Sequence, residues 1–492
     1  MNEVIKVSAV APREWAVVGS GSLTLAFTAW GLGGVQLWAL HSLLAGGLLT
    51  FLLATIPLGK FWNGRDGQHG NAKNLKRLIR FPVFWLGMIF LAYLLIQGFN
   101  PAWILMKNEH GWWLREVQPI HWLPSSVSAD YETINSFRVL VGFGATHLLV
   151  CGLWIGLQRR QSVVLLLWIF LLSGVGMAII AILQKFTGAD AVLWTVPSPN
   201  SNFWGTFFYR NEAVAYLALV ISISGFLYFY HLNRSEQSGL SGGPHLLLFL
   251  FVAITYTSIA LALSRGGILF GGVMTVCFFC VAIGRWLYLL KINKAAPLVV
   301  VIALLLGGGG GYTTFRYVDI EAIRDRFGDI ETTLKMADKD SRMITTKITW
   351  EMFQEEPWFG WGAGSWRYVF PMYQSAYPEI YYQRYDRKLG WVGRRVYYYA
   401  HNDVVQFLCE YGMVGCLFAG SLFAYWLGVL WFKTSGNRLS ALMLQIGMVL
   451  ALCHAIVDFV WQSPANWLAL NSVICVSVKL LVLDTERDHM WR

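Results

Sequence analysis

The sequence predicts an all-α polytopic membrane protein, with about twelve transmembrane helices and one large extracytoplasmic loop domain. Three observations predict it. Hydrophobic residues make up 56% of 492 and charged residues only 13%, more apolar surface than a soluble core can hide. Apolar runs of spanning length recur along almost the whole chain. The 24 Trp and 21 Tyr suit interfacial belts at the ends of many helices.

The runs fall at about 15–33, 36–59, 81–98, 138–157, 161–183, 211–230, 245–263, 266–284, 296–311, 403–432, 439–460 and 465–483. The run at 296–311 is short and ends in Gly307 to Gly311. The chain therefore divides into N-terminal transmembrane helices over 1–311, a polar domain over 312–402 and C-terminal transmembrane helices over 403–492. Lys6 and Arg13 precede the first run and no small-residue cleavage site follows, which reads as an uncleaved signal-anchor.

Orientation comes from the short basic loops. Lys60, Arg65, Lys73, Lys76, Arg77 and Arg80 share loop parity with Arg159 and Arg160, with Arg285, Lys291 and Lys294, and with Lys433 and Arg438. The positive-inside rule makes those loops and both termini cytoplasmic. Loops 99–137 and 184–210, the turn Ser264-Arg265-Gly266-Gly267 and the 312–402 domain then share the outer side. The parity argument uses none of these residues. The net charge of +10 is thus orientation information and does not point to nucleic acid. All seven Cys lie in apolar runs, so the outer domain is not a disulfide scaffold and no metal-binding cysteine spacing exists.

Several polar residues stand at this outer boundary. Burying an arginine at membrane depth is costly, so Arg265 needs an anionic partner, a watery cavity or a route for snorkelling to lipid phosphates. Arg210, at the outer end of the 211–230 run, follows the same logic. Two guanidinium groups at one boundary suit a diphosphate, which they can bind bidentately. His401 precedes Asn402 and Asp403, good N-caps, and then the apolar run from Val404 to Phe407. A helix N-terminus disfavours imidazolium, so His401 is a candidate proton acceptor, the alternative being a capping or packing role. Glu410, two turns on, enters the bilayer and needs a partner.

The stretch 357–401 is basic and rich in aromatics, including Trp361, Trp366, Arg394 and Arg395. Its rings fit sugar stacking and an interfacial belt equally well. Arg324, Arg326, Glu331, Lys335, Arg342 and Lys347 alternate in sign at helical spacing, as on a solvated helix face. Asp338-Lys339-Asp340 matches an acidic metal pair in form only, since its surroundings are charged and exposed. No phosphate-binding Gly-Lys-Ser/Thr loop, nucleophile elbow or zinc spacing is present, so neither metal nor cofactor is expected.

In order along the chain, these features resemble the O-antigen ligase and O-antigen polymerase superfamily. Gly205-Thr206-Phe207 with Arg210-Asn211 is similar to the family's Gly-Thr-Phe…Asn segment, and Ser264-Arg265-Gly266 to its Ser-Arg-Gly turn. Ser341-Arg342, Trp350, Pro357 and Gly360-Trp361-Gly362-Ala363-Gly364 resemble its Arg…Trp…Pro-x-x-Gly-x-Gly run. His401-Asn402 with Glu410-Tyr411-Gly412 resembles its His-Asn…Glu-x-Gly signature, and His454 with Asp458 a late His-x-x-x-Asp. The chain departs at Glu212, where relatives often have His.

The resemblance implies a GT-C-like membrane glycosyltransferase of the bacterial inner membrane, acting at its periplasmic face on an undecaprenyl-diphosphate-linked glycan. Arg265 and Arg342 would bind the diphosphate and His401 would activate an acceptor hydroxyl on a glycan, lipid or protein. Arg210, Asn211, Asn402, Glu410, Trp361, Trp366, Arg394 and Arg395 are the further substrate-binding candidates. The leading reading is a ligase. A polymerase or a protein O-oligosaccharyltransferase uses the same donor with another acceptor. A transporter or flippase would instead carry polar residues at mid-membrane in related halves.

Overall fold

In lipid every backbone N–H and C=O must be satisfied within its own segment, so the apolar runs fold as helices. The computed structural model describes residues 10–57, 59–63, 69–237, 243–290, 340–386, 390–432 and 437–490. The expected span at 296–311, with Arg324, Arg326, Glu331, Lys335 and Asp338, lies outside the described residues. The first group of helices is α1 (Pro12–Trp30), α2 (Leu37–Thr55), α3 (His69–Ile79), α4 (Pro82–Phe99), α5 (Ser136–Gly156), α6 (Arg160–Phe186), α7 (Arg210–Gln237), α8 (His245–Leu261) and α9 (Arg265–Leu290). After the polar stretch come α12 (Asp403–Phe432), α13 (Arg438–Val457) and α14 (Pro464–Met490), preceded by α10 (Ser341–Glu355) and α11 (Trp366–Gln374).

The chain is a multi-pass membrane protein. Among the described residues, nine helices are long and apolar enough to cross a membrane: α2, α4, α5, α6, α7, α9, α12, α13 and α14. Helices form at two further expected spans without meeting that standard. The apolar part of α8 runs only over Leu247–Leu261. Helix α1 carries Arg13 and Glu14, both buried. The Glu14 carboxylate there accepts from the backbone N–H groups of Gln158 (2.8 Å) and Arg159 (2.6 Å), and Arg13 Nε donates to the Leu53 carbonyl at 2.8 Å. These charges tie three chain segments together at one end of the bundle.

Helices α7 and α14 form its centre, with 89% and 83% of their spanning windows buried. Helix α7 packs against α8, α9 and α13, and α14 against α5, α6 and α1. The closest helix pair is α2 with α5, where small residues let the backbones meet. A Cβ on Gly152 would stand 2.8 Å from Phe51 N, and one on Gly47 would stand 2.5 Å from the Ala145 carbonyl oxygen.

At one end of the bundle the polar segments build a lobe with its own core. Ile348, Met352, Trp366, Val369, Phe370 and Val127 are buried together there. This lobe is not wholly helical. Strands β1 (Pro101–Asn108) and β2 (Gly111–Glu116) pair antiparallel, and β3 (Ser126–Ser128) adds to β1 in parallel. A second hairpin pairs β4 (Tyr382–Asp386) with β5 (Gly390–Arg394). The all-α expectation thus holds for the bundle and needs correcting in the lobe. The turn chemistry is local: Asn108 Oδ1 accepts from the N–H groups of His110 and Gly111, closing the first hairpin.

The segment carrying β1–β3 and the segment carrying α10 and α11 are locked to each other. Ser365 Oγ accepts from Val127 N at 2.9 Å, Tyr368 donates to the Ile134 carbonyl at 2.6 Å, and Gln97 Oε1 accepts from Ala363 N at 3.1 Å. The Gly360-x-Gly362-x-Gly364 run makes this possible. Gly362, at φ 97°, leaves no room for a Cβ, which would lie 2.3 Å from Ser126 Cβ. Its N–H donates to the Glu410 carbonyl at 2.9 Å, just before α12 kinks at Gly412 (φ 61°). The glycine run therefore clamps β3 to α12.

Candidate functional site

Helix α13 ends at Val457, and Asp458 follows at its C-cap, 2% exposed. A buried carboxylate at the negative end of a helix dipole is doubly costly, so it must be compensated by cations and donors. Four separate segments supply them. From α7, Asn211 donates its side-chain amide to Asp458 Oδ2. From the first turn of α10, Arg342 Nη1 lies 3.9 Å from the same oxygen. From the segment before α12, His401 Nδ1 faces Oδ1 at 3.7 Å, longer than a hydrogen bond, so this contact is electrostatic. Asp458's own turn supplies Phe459 N–H, which donates to Oδ1 at 2.9 Å. Burial pushes the Asp458 carboxyl up, but His401, Arg342 and His454 around it outweigh that and hold it below the usual carboxylate range.

Local sequence explains how each partner arrives. Asp340 N-caps α10 by accepting from Arg342 N at 2.7 Å, which fixes the arginine at the helix start with its side chain 46% exposed. Asp340 is thus the N-cap of α10. Asn402 Oδ1 accepts from Val405 N at 3.1 Å and caps α12. His401 precedes that cap at φ 57°, a left-handed conformation that L residues other than glycine adopt at a cost. The imidazole packs edge-on against Phe459, with centroids 4.7 Å apart. Phe459 stacks with Tyr209 at 4.6 Å and Tyr399 at 4.9 Å, giving His401 an aromatic wall. Burial raises the Tyr209 hydroxyl to about 12 and also raises that of Tyr399, so both remain neutral. The Asp403 N–H donates to the Asp458 carbonyl at 3.3 Å, and its carboxylate accepts from Trp461 N at 2.7 Å and Gln462 Nε2 at 3.0 Å.

Arg265 begins α9. The next residue, Gly266, lies against His454, where a Cβ would be 2.7 Å from Nε2, and His454 is one helical turn before Asp458. The sequence candidates His401, Arg342 and Asn211 therefore meet at Asp458, with the Arg265 turn packed behind it. Arg210 is the neighbour of Asn211. Its N–H donates to the Asn202 carbonyl at 2.9 Å, and it lines a cavity of about 200 Å³ with Lys185 and Trp204.

Other candidates have different work. Trp366 is completely buried, stacks on Phe370 at 4.3 Å and donates to Thr349 Oγ1 at 2.9 Å, so neither ring face is open to a sugar. Trp361 is pinned by its indole N–H to the Met352 carbonyl at 2.8 Å. Arg394 sits over the rings of Trp112 and Tyr381, and Arg395 is held by the β4–β5 hairpin, with Nη2 donating to the Gln383 carbonyl at 3.4 Å. Glu410 is buried, its Oε1 accepting from Trp366 N at 3.3 Å and Gln406 Nε2 at 3.2 Å. It braces the lobe against α12. Glu212 is also buried, against Gly33, and its carbonyl accepts from Asn466 Nδ2 at 2.9 Å.

Sequence reasoning missed the centrality of Asp458 and the aromatic wall. One signal was available: an acid directly after an apolar helix is out of place against the dipole and asks for a partner. A half-buried base beside a buried carboxylate, an exposed guanidinium and an aromatic wall can hold a polar hydroxyl and stabilise an anion beside it.

No curated protein matches the chain. Residues 248–420 match the family model described as O-antigen ligase, a range that contains Arg265, Arg342 and His401 while Asn211 and Asp458 lie beyond it. This part of the chain is an O-antigen ligase domain, of a family of lipid-linked glycan transferases.

Proposed function

We propose that the protein is an inverting glycosyltransferase that moves a glycan from undecaprenyl diphosphate to an acceptor hydroxyl, as an O-antigen ligase does. The observation that carries this reading is the meeting of His401, Arg342 and Asn211 at the buried Asp458. With Nδ1 turned to Asp458, the other imidazole nitrogen, Nε2, takes the proton of the acceptor hydroxyl. The acceptor oxygen then forms its bond to the anomeric carbon from the face opposite the diphosphate. The anomeric carbon–oxygen bond breaks, and undecaprenyl diphosphate leaves as an anion stabilised by Arg342 and Arg265. A glycosyl diphosphate carries its own good leaving group, so guanidinium charge can support its departure.

The reaction is assigned to the periplasmic face of a bacterial inner membrane because the basic short loops share the opposite parity. The test is an assay of purified protein in detergent, with undecaprenyl-diphosphate-linked glycan, a hydroxyl acceptor and EDTA. Glycosylated acceptor with inverted anomeric configuration, in equal amount to released undecaprenyl diphosphate, is the expected result. Donor that is moved across proteoliposomes without being consumed would replace this reading with a flippase. For sidedness, a cysteine at the exposed Ser375 should react with a membrane-impermeant reagent in spheroplasts, whereas one at Lys76 should not. The opposite pattern would overturn the orientation.

A further inference from the structure

Helix α4 leads from α3 into strand β1 of the lobe, so α3 lies at the end of the bundle opposite the lobe. Its 11 residues make a helix about 16 Å long, too short to cross a bilayer. At about 100° per residue, its side chains fall into three sectors. The first faces the bundle. Asn74 Nδ2 donates to the Ala54 carbonyl at 3.1 Å, in the last turn of α2, where carbonyls have no partner within their own helix. Leu78, one turn on, is 5% exposed and belongs to the main core. The second sector is apolar and open: Leu75 and Ile79 are 54% and 52% exposed. The third is basic, with Lys76 and Arg80 and then Lys73 and Arg77, all exposed.

The apolar sector continues a surface that already faces lipid. Trp85, in the first turn of α4, is 51% exposed and donates its indole N–H to the Ile79 carbonyl at 2.8 Å. Only 22% of the spanning window of α4 is buried. An exposed indole at the end of such a helix marks the level of the membrane interface. Leu75 and Ile79 extend the apolar wall to that level, and the basic sector stands beside them. Its charge is one-sided, since no Asp or Glu occurs between Asp66 and Glu109. Among the described residues, Lys76, Arg77 and Arg80 have no carboxylate in ion-pair distance, and Arg77 Nη1 donates only to the neutral Asn74 Oδ1, at 3.3 Å. An acidic protein would complement the basic sector alone. Anionic phospholipid complements both, with acyl chains beside Leu75 and Ile79 and phosphates beside the cations.

We infer that α3 is an interfacial helix that gathers anionic phospholipid from the leaflet at this end of the bundle. Leu75 and Ile79 enter the headgroup–acyl boundary, and Lys73, Lys76, Arg77 and Arg80 meet the headgroups. Asn74 and Leu78 fix the helix to α2 and the core, so the lipids collect at one place on the protein. This surface is independent of the transfer chemistry at Asp458.

The experiment uses full-length protein in phosphatidylcholine vesicles. These hold a small fraction of phosphatidylglycerol with a diazirine high in its acyl chain, and labelled peptides are mapped by mass spectrometry. Residues 72–85 should be labelled, and unlabelled phosphatidylglycerol should compete where added phosphatidylcholine does not. Lys76→Gln, Arg77→Gln and Arg80→Gln should each weaken this binding about fivefold, the worth of one basic residue at an anionic surface, and the triple variant about a hundredfold. Equal labelling by a phosphatidylcholine analogue, or labelling undiminished in the triple variant, would overturn the proposal. Full displacement by inorganic phosphate at constant ionic strength would reduce the surface to a simple anion site, and displacement by polyglutamate would make it a protein-docking face. A crosslinked dimer through α3 in place of lipid labelling would assign the face to a second copy of the chain. Where the triple variant inserts poorly, Leu75→Glu decides: it should remove labelling of 72–85 while the other lipid-facing helices label as in the parent. Undiminished labelling in that variant would take the apolar sector out of the boundary and overturn the proposal.

Discussion

His401→Ala is expected to lower turnover by about 10²–10⁴, the usual worth of a well-placed general base, while donor binding persists. The separation follows from the geometry. Arg342 approaches Asp458 through Oδ2, and His401 through Oδ1, so removing the imidazole leaves the guanidinium held by the same carboxylate. Helix α12 should also survive, because Asn402 and not His401 supplies its cap. Asp458, held below the usual carboxylate range, remains the anion to which Arg342 is held. The measurement is single-turnover transfer with donor binding followed in parallel. An alanine variant that turns over like the parent would leave His401 as a strained packing residue, with Asp403 and Glu410 next to be examined as bases.

Much of this site was legible because polar residues at the edges of apolar runs stand out. His401 and Asn211 were visible that way, as was the turn at Arg265, whereas Arg342 lay on a charged helix face and stood out only through the family resemblance. Asp458 was noted only beside His454 in that resemblance, and its central place depends on where α13 ends in space relative to α12. Aromatics misled in the opposite direction. Trp366 looks like a sugar platform in a loop rich in tyrosine and arginine, yet it is buried in the core of the lobe. Among the described residues nine candidate spans fall on expected runs, but their positions in the bundle were not legible. Helices α7 and α12 have mean hydropathies of 1.9 and 1.8, yet 89% and 17% of their windows are buried. Lipid and protein interior demand the same apolar residues, so hydropathy cannot separate them.

Arg342→Gln should reduce turnover by about 10²–10³, the cost of removing one preorganised donor from the site of developing negative charge. Arg342→Lys keeps the charge and loses the planar fork, so it should fall between the parent and the glutamine variant. The same ordering is expected at Arg265, the residue before the glycine that packs against His454. Both effects should appear in kcat and in donor affinity, since the diphosphate is charged before and after bond cleavage. They should spare the acceptor KM. Loss of Arg342 also removes a cation from buried Asp458, so insertion and thermal stability must be measured beside activity. Were Arg342→Lys and Arg265→Lys both to turn over at the parent rate, bidentate recognition of the diphosphate would be excluded. The two residues would then be interfacial arginines whose heads simply reach lipid phosphates.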